Sequence, residues 1–186
     1  MKRIAAIFLV CSLLAGCAGK RDELDRAMAL RAVLLGCESC SFDAAVTADY
    51  GDSVQTFGMS CQGDSQGKLT FAVTQPASIA GITGVISAGE GALTFDGMLL
   101  EFPMLADGQV TPVSAPWILL KTLLGGYLTA CTREEELLHL TVNDSYADDA
   151  LEMEIWLDAE NRPVQGEILF DGRRIVAMTV ENFQIQ

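Results

Sequence analysis

Alternating apolar and polar side chains at residues 42–50 constrain the fold of this chain more than any other feature. The apolar members, which would share one face of a strand, are Phe42, Ala44, Val46, Ala48 and Tyr50. Gly51-Asp52 offers a turn and residues 54–61 return, which predicts a hairpin with one apolar face and places Phe42 opposite Cys61. Leu69, Phe71 and Val73 then alternate along a third strand.

Further strands are predicted on both sides of the middle of the chain. Residues 79–86 are apolar but rich in glycine, which suits a strand or turn where a sheet bends strongly. Asp96-Gly97 is typical of the turn of a hairpin, here spanning residues 93–102. The last third alternates again, with strands expected within 134–143, 151–157, 168–170 and 175–185. Meandering hairpins must close or be plugged by a helix, because an open edge exposes unpaired backbone groups.

Two helices interrupt the strands. Apolar residues at helical spacing predict an amphipathic helix over residues 22–35, with Asp22 as N-cap and Gly36 as the stop. Ser114 followed by Pro116 marks the start of a second helix, residues 117–124, which Gly125-Gly126 interrupts. This helix is apolar on nearly every side, so it is either a central helix covered on several faces or a lid bordering an apolar cavity.

These elements together predict the fold class. We expect an α+β chain that is mostly β, with a strongly curved antiparallel sheet forming an incomplete half-barrel. One N-terminal and one central helix would plug it.

The amino end has the layout of an export signal, with Lys2 and Arg3 before a short apolar run over residues 4–14. The run is too short to span a membrane, which takes roughly 20 residues. It ends in Leu14-Ala15-Gly16-Cys17, which resembles the lipobox of bacterial lipoproteins. The resemblance implies a signal peptide at 1–16, diacylglycerol on Cys17 with a short tether over 17–21, and one domain over 22–186. The protein would then be extracytoplasmic and lipid-anchored to the bacterial cell membrane.

The charge balance limits the kinds of partner. The chain carries 12 Lys and Arg against 25 Asp and Glu, a net charge of −13. Such an acidic surface argues against nucleic acid, which needs a basic footprint. Most of the acids are expected on solvated strand faces and turns, where they keep the protein soluble.

Four cysteines remain after the signal segment and Cys17, namely Cys37, Cys40, Cys61 and Cys131. An exported chain can keep disulfides, and four cysteines allow three pairings that the sequence does not separate. A bulge in the first hairpin would bring Cys40 and Cys61 together. Cys37-Glu38-Ser39-Cys40 has the spacing of a zinc or redox pair. However, a second ligand pair is missing, and the motif follows a predicted helix instead of opening one.

Catalytic and metal-binding motifs are not found. His139, the only histidine, lies within an alternating strand without a nucleophile on its face. The acids at 134–136, and the pair Glu152 and Glu154, are interpreted as solvated surface. The sequence therefore predicts no enzyme, no metal site and no cofactor.

The layout resembles the LolA/LolB-like superfamily of lipoprotein carriers and the related LppX/LprG-type lipid-binding lipoproteins. The resemblance is strongest over residues 155–163 and 174–183. It implies a lipid or lipoprotein acyl chain as ligand inside the half-barrel. The candidate cavity-lining residues are Trp117, Leu120, Leu124, Phe71, Phe95, Met153 and Ile155. No single arginine stands out as the one that would hold such a lid shut; Arg31 and Arg133 are the candidates. The alternative is a non-catalytic envelope structural or interaction protein with the same fold and a filled core.

Overall fold

The computed structural model describes residues 16–87, 90–94 and 105–186. Its elements are two helices and ten strands. The helices are α1 (Gly16–Gly36) and α2 (Ala115–Gly125). The strands are β1 (Cys40–Asp49), β2 (Val54–Gly63), β3 (Leu69–Gln75), β4 (Thr83–Ser87), β5 (Glu90–Thr94), β6 (Tyr127–Glu134), β7 (Leu137–Asn143), β8 (Glu152–Leu157), β9 (Pro163–Phe170) and β10 (Arg173–Ile185).

All ten strands form one antiparallel sheet in the order β5-β4-β3-β2-β1-β10-β9-β8-β7-β6. Two meanders, β1 to β5 and β6 to β10, are joined where β1 pairs with β10. The sheet is not closed, because β5 and β6 lie at its opposite edges. The connection from β5 to β6 contains α2 and links one edge of the sheet to the other. The predicted mostly-β half-barrel with two helices is confirmed.

The first hairpin follows the predicted register. β1 and β2 pair without interruption, and Phe42 lies opposite Cys61. Alternate side chains of β1 are buried on one face, as the period of two requires. The bulge expected between Cys40 and Cys61 is absent from this pairing; the irregularity of β1 lies on its other side, against β10 near Ser41. The regular pairing with β2 keeps Cys40 opposite Gly63 instead.

The N-terminal helix is longer than predicted. It begins at Gly16 and not at residue 22, so the residues expected as a tether are helical and Asp22 is not its N-cap. Lys20, Arg21 and Glu23 are good helix formers, which favours extension of the helix in this direction. Ala27, Leu30 and Leu34 are its buried residues, whereas Leu24, Met28 and Leu35, expected on the buried face, are exposed or partly so. None of the described helices is both long and apolar enough to cross a membrane.

In the middle of the chain, one predicted hairpin is described only in part, and one strand is present that was not predicted. β5 corresponds to the first arm of the hairpin predicted at 93–102, and the remainder of that hairpin, with Phe95, lies outside the described residues. β6 was not predicted at all. Most of its side chains are exposed, so its sequence lacks the apolar alternation that identifies a half-buried strand.

One hydrophobic core lies between the sheet and the two helices. It includes inward-facing residues of most strands together with the buried sides of α1 and α2. Ile175 and Val176 are both buried although they are neighbours in β10, because the pairing of β10 with β9 shifts register at this point. Such a shift turns two consecutive side chains toward the core.

Candidate functional site

The predicted cavity residues come together in the core. Phe71 of β3, Leu120 of α2, and Met153 and Ile155 of β8 are each 2% exposed or less and belong to one contiguous cluster. Trp117 and Leu124, also of α2, are partly buried and pack against the same cluster. These side chains pack together in the interior of the described part of the chain.

Local sequence explains where α2 begins and ends. Thr111 and Ser114 form a reciprocal capping pair around a short 3-10 turn, with the Ser114 amide donating to Thr111 Oγ1 (3.3 Å) and the Thr111 amide donating to Ser114 Oγ (2.9 Å). Ser114 occupies the N-cap position of α2, as predicted, but its side chain bonds to Thr111 and makes no capping hydrogen bond to α2. Pro116 lies in the first turn of α2, where its missing amide hydrogen costs nothing. The helix ends at Gly125, and Gly126 takes an extended conformation.

A glycine notch in β2 receives α2. A Cβ at Gly63 would lie 2.3 Å from Leu120 Cδ2, closer than any real contact. Trp117 holds the amino-terminal end of α2, because its Nε1 donates to the Gly67 carbonyl at 2.8 Å. Lys121 Nζ lies 5.5 Å from the centre of the Trp117 ring, which is a cation–π contact, and 3.3 Å from Asp144 Oδ2, which is an ion pair.

Arg31 of α1 fastens the carboxyl end of α2. Its Nε donates to the Leu123 carbonyl at 2.8 Å, and its Nη2 donates to the carbonyls of Thr122 at 3.2 Å and Gly126 at 2.9 Å. The last carbonyls of a helix have no intrahelical partner and carry partial negative charge, so a cation there is favourable. Burial lowers the pKa of the Arg31 guanidinium from its usual value. Of the two candidate arginines, Arg31 makes this contact, whereas Arg133 is an exposed residue of β6.

A second arginine ties α1 to the sheet. Arg26 Nε donates to Asn161 Oδ1 at 2.8 Å, and its Nη2 donates to the Asp158 carbonyl at 2.9 Å. Both acceptors belong to the turn between β8 and β9. Asn161 has a φ of 61°, a left-handed conformation that asparagine adopts more readily than most residues. α1 is thus bonded to the β8–β9 turn through Arg26 and to α2 through Arg31.

An apolar groove lies beside this helix, outside the core. It has a volume of about 310 Å³ and runs between α1 and the end of β10. Its apolar lining comes from Ala29, Leu30, Val33, Phe183 and Ile185. The groove meets the lower limit of about 300 Å³ for small-molecule sites, but it is open to solvent along the surface.

The four cysteines are free thiols in this structure, so none of the expected disulfides is present. Burial raises the pKa of Cys40 to about 11 and that of Cys61 to about 12. Thiols of this kind stay protonated at neutral pH and are poor nucleophiles. Cys37, which directly follows α1, donates from its Sγ to the Leu34 carbonyl at 3.1 Å. No three His, Cys, Asp or Glu side chains within 16–87, 90–94 and 105–186 are arranged to hold a metal ion.

Sequence reasoning missed one polar cluster on the outer face of the sheet. His139 of β7 contacts Glu134 at the end of β6 and Glu154 of β8, and its ring stacks on Trp156. The two acids had been interpreted as solvated surface. The register of β6, β7 and β8 brings Glu134 and Glu154 to opposite sides of the His139 ring and places His139 opposite Trp156. This register cannot be predicted from the sequence.

Comparison with known proteins gives structural matches only. No family model and no curated protein matches the chain. An uncharacterised conserved protein from Thermus thermophilus is 15% identical, with a TM-score of 0.45 over 89% of this chain and 86% of its own. An outer membrane lipoprotein-sorting protein domain from Vibrio parahaemolyticus is 11% identical, with a TM-score of 0.44 over 90% and 93%. LprF from Mycobacterium bovis is 12% identical, with a TM-score of 0.41 over 88% and 93%.

Proposed function

We propose that this protein is a non-catalytic lipoprotein of the bacterial envelope that binds a lipid acyl chain inside its half-barrel. Diacylglycerol on Cys17 would hold it on the outer side of the cell membrane, since two acyl chains give stable anchoring where one does not. The support for this anchor is the segment Leu14-Ala15-Gly16-Cys17 behind a short apolar run. The folded domain would then stand at the membrane surface, with α1, which contains Cys17, as its first element.

The observation that carries the proposal is the attachment of α2. This helix is apolar on several sides, lies in the connection between the two edge strands of the sheet, and has its carboxyl end held by one arginine of α1. Releasing the Arg31 contacts would let α2 lift off the sheet, so that an acyl chain could enter between the helix and the strands beneath it. The proposed acyl-chain lining is then Phe71, Phe95, Trp117, Leu120, Leu124, Met153 and Ile155.

The energies of the two states are comparable, which suits a reversible carrier. Burying about 12 methylenes of an acyl chain gains about 10 kcal/mol, at about 0.8 kcal/mol each. Displacing α2 exposes Ile118, Leu119, Leu120 and Leu123, which are buried in this structure. At about 1.5–3 kcal/mol per side chain, that exposure costs about 6–12 kcal/mol. An acyl chain between α2 and the sheet can therefore offset the contacts that α2 loses, without either state being irreversible.

Lipid uptake tests the proposal. The chain from residue 17, with Cys17→Ser, is purified from lysate that contains membranes, and its native mass is measured before and after addition of fatty acids or phospholipids. We expect a bound lipid that Leu120→Glu abolishes, because a carboxylate in the apolar core is costly to bury. Arg31→Met should speed uptake, and Arg133→Met is the matched control that should not. A clean apo mass with no uptake by any of these variants would contradict acyl-chain binding.

A second function is favoured by the filled interior. Because Phe71, Leu120, Met153 and Ile155 already pack together, the same fold can serve as a rigid envelope protein whose acidic exterior binds a partner. In that case Arg31→Met would lower stability without admitting lipid. The uptake experiment distinguishes the two functions, since only the carrier changes its mass.

A further inference from the structure

The single histidine of the chain is held between two carboxylates on the outer face of the sheet. His139 Nδ1 lies 2.9 Å from Glu134 Oε1, and His139 Nε2 contacts Glu154 Oε2. The imidazole ring stacks on Trp156, with centroids 4.5 Å apart and planes at 8°. The His139 side chain is 16% exposed and that of Glu154 17%, so this is a largely enclosed pair on a strand face that otherwise meets solvent.

Neighbouring side chains fix both carboxylates in place. Trp156 Nε1 donates to Glu134 Oε2 at 2.8 Å, while the other oxygen of Glu134 faces the ring. Thr141 Oγ1 donates to Glu154 Oε2 at 3.1 Å. Neither acid can therefore turn away from His139 without losing a second hydrogen bond.

The donor and acceptor inventory determines which form of the ring fits. A carboxylate only accepts hydrogen bonds, whereas a neutral imidazole has one donor nitrogen and one acceptor nitrogen. Two carboxylates on opposite ring nitrogens therefore need the imidazolium, which donates from both. We propose that His139 is a proton-dependent clamp that ties the β6–β7 turn to β8 while the ring is charged, and releases it when the ring proton passes to solvent.

The surrounding charges agree with this assignment. Glu135 and Glu136 form the turn itself, and Glu152 shares the outer face of β8. On β9, Glu167 is paired with Arg174 at 2.8 Å. Arg133 precedes Glu134 in β6, so alternation along the strand directs it to the opposite face. The groups that face the ring from β6, the turn and β8 are thus acidic or neutral, and they favour a cation between them.

The clamp acts on the edge strand beneath α1. β6 pairs with β7 from Tyr127 to Glu134 with one irregularity between Leu128 and Ala130, and α1 packs on β6. Glu23 and Arg26 of α1 lie close enough to Cys131 of β6 to influence its pKa, which burial raises. Loosening the β6–β7 turn would therefore weaken the support of the helix that carries both arginine contacts. This inference does not depend on lipid binding.

Hydrogen exchange with the full domain tests the clamp, on protein whose purification tag adds no histidine. The exchange rates of the amides in β6 and β7 are measured at about pH 5.5 and about pH 8.5. Each rate is compared with the intrinsic rate of an unfolded chain at the same pH to give the protection. We expect protection at the β6–β7 turn to be about tenfold greater or more at the lower pH, since a hydrogen bond to a charged group is lost at the higher one. His139→Phe keeps the stack on Trp156 and should remove this difference. Glu136→Gln, which changes charge in the same turn without touching the ring, should keep it.

Equal normalised protection at both values of pH in the wild type would overturn the proposal, and so would the same pH response in His139→Phe. A second measurement covers the case in which that variant does not fold. Because the chain has one histidine, nitrogen-15 NMR of the imidazole reports on this ring alone. At about pH 5.5 both ring hydrogens should be observed and exchange slowly with water. Rapid exchange of either hydrogen, as in a free imidazole, would also overturn the proposal.

Discussion

Filling the glycine notch under α2 tests how tightly this helix sits on the sheet. In Gly63→Ala the new Cβ would lie 2.3 Å from Leu120 Cδ2 and 3.4 Å from Cys40 Sγ. Leu120 is 2% exposed, so its side chain has little free space into which to retreat. Overpacking of this kind typically costs about 1–3 kcal/mol, and we expect the free energy of unfolding to fall by that amount.

A double-mutant cycle isolates the contact itself. Leu120→Ala alone should cost about 2–5 kcal/mol, because it leaves a cavity in a packed core. The same truncation removes the methyl group that the new Cβ at position 63 would strike. The double variant should therefore be more stable than the sum of the single changes predicts, by about 1 kcal/mol or more.

Urea unfolding monitored by tryptophan fluorescence gives the four free energies of the cycle. Gly125→Ala is the matched control, since it lies at the end of α2 and an added Cβ there meets nothing within 4 Å. It should change stability little, or raise it slightly through helix propensity. Strictly additive effects at positions 63 and 120, or a Gly63→Ala variant as stable as the control, would refute this packing of α2 in β2.

The remaining predictions concern titratable groups. Burial raises the pKa of Cys40 to about 11 and of Cys61 to about 12, so both should resist alkylation at neutral pH in the folded protein, while the less buried Cys37 reacts. Mass spectrometry of the labelled chain checks this. Failure of Cys40 and Cys61 to react even in denaturant would show that they are disulfide-bonded. The pKa of the Asp49 carboxyl is lowered, first by the Gly51 amide that donates to it at 2.7 Å. Its contribution to stability should therefore be present above about pH 3.9, the usual value in an unfolded chain, and be lost as the pH falls through the lower folded value. Carboxyl NMR titration should show that lower value, and a normal midpoint would contradict the assignment.

The local sequence pattern was sufficient to predict the first hairpin and the second helix. A period of two fixes which side chains of β1 are buried, and a two-residue turn then sets its register against β2, which placed Phe42 opposite Cys61. The apolar helix at 117–124 was predicted within two residues because it combines an early proline with terminal glycines. Both predictions rested on residues that lie close together in the sequence.

Contacts between distant segments were beyond such reasoning. Nothing in β1 or β10 alone indicates that they pair, although this pairing joins the two meanders. Arg31 and Arg133 looked equivalent as candidates, and they differ only because α1 brings Arg31 within 2.8 Å of the Leu123 carbonyl. The cluster around His139 likewise depends on three strands being in register. β6 escaped prediction because most of its side chains are exposed, so its sequence shows no apolar alternation.

The bonding of the two helices indicates which of them can move. α1 is held to the β8–β9 turn by Arg26, and the residues that follow it, Glu38 and Ser39, bond to the backbone of Gln186 at the end of β10. α2 has apolar packing, the Trp117 bond and the Arg31 contacts, and it lies in the one connection that passes between the open edges of the sheet. Movement of α1 would therefore break pairing with the sheet, whereas movement of α2 breaks chiefly side-chain contacts. If the half-barrel opens, α2 is the helix that leaves, and α1 stays with the sheet as the fixed partner that holds Arg31 in place.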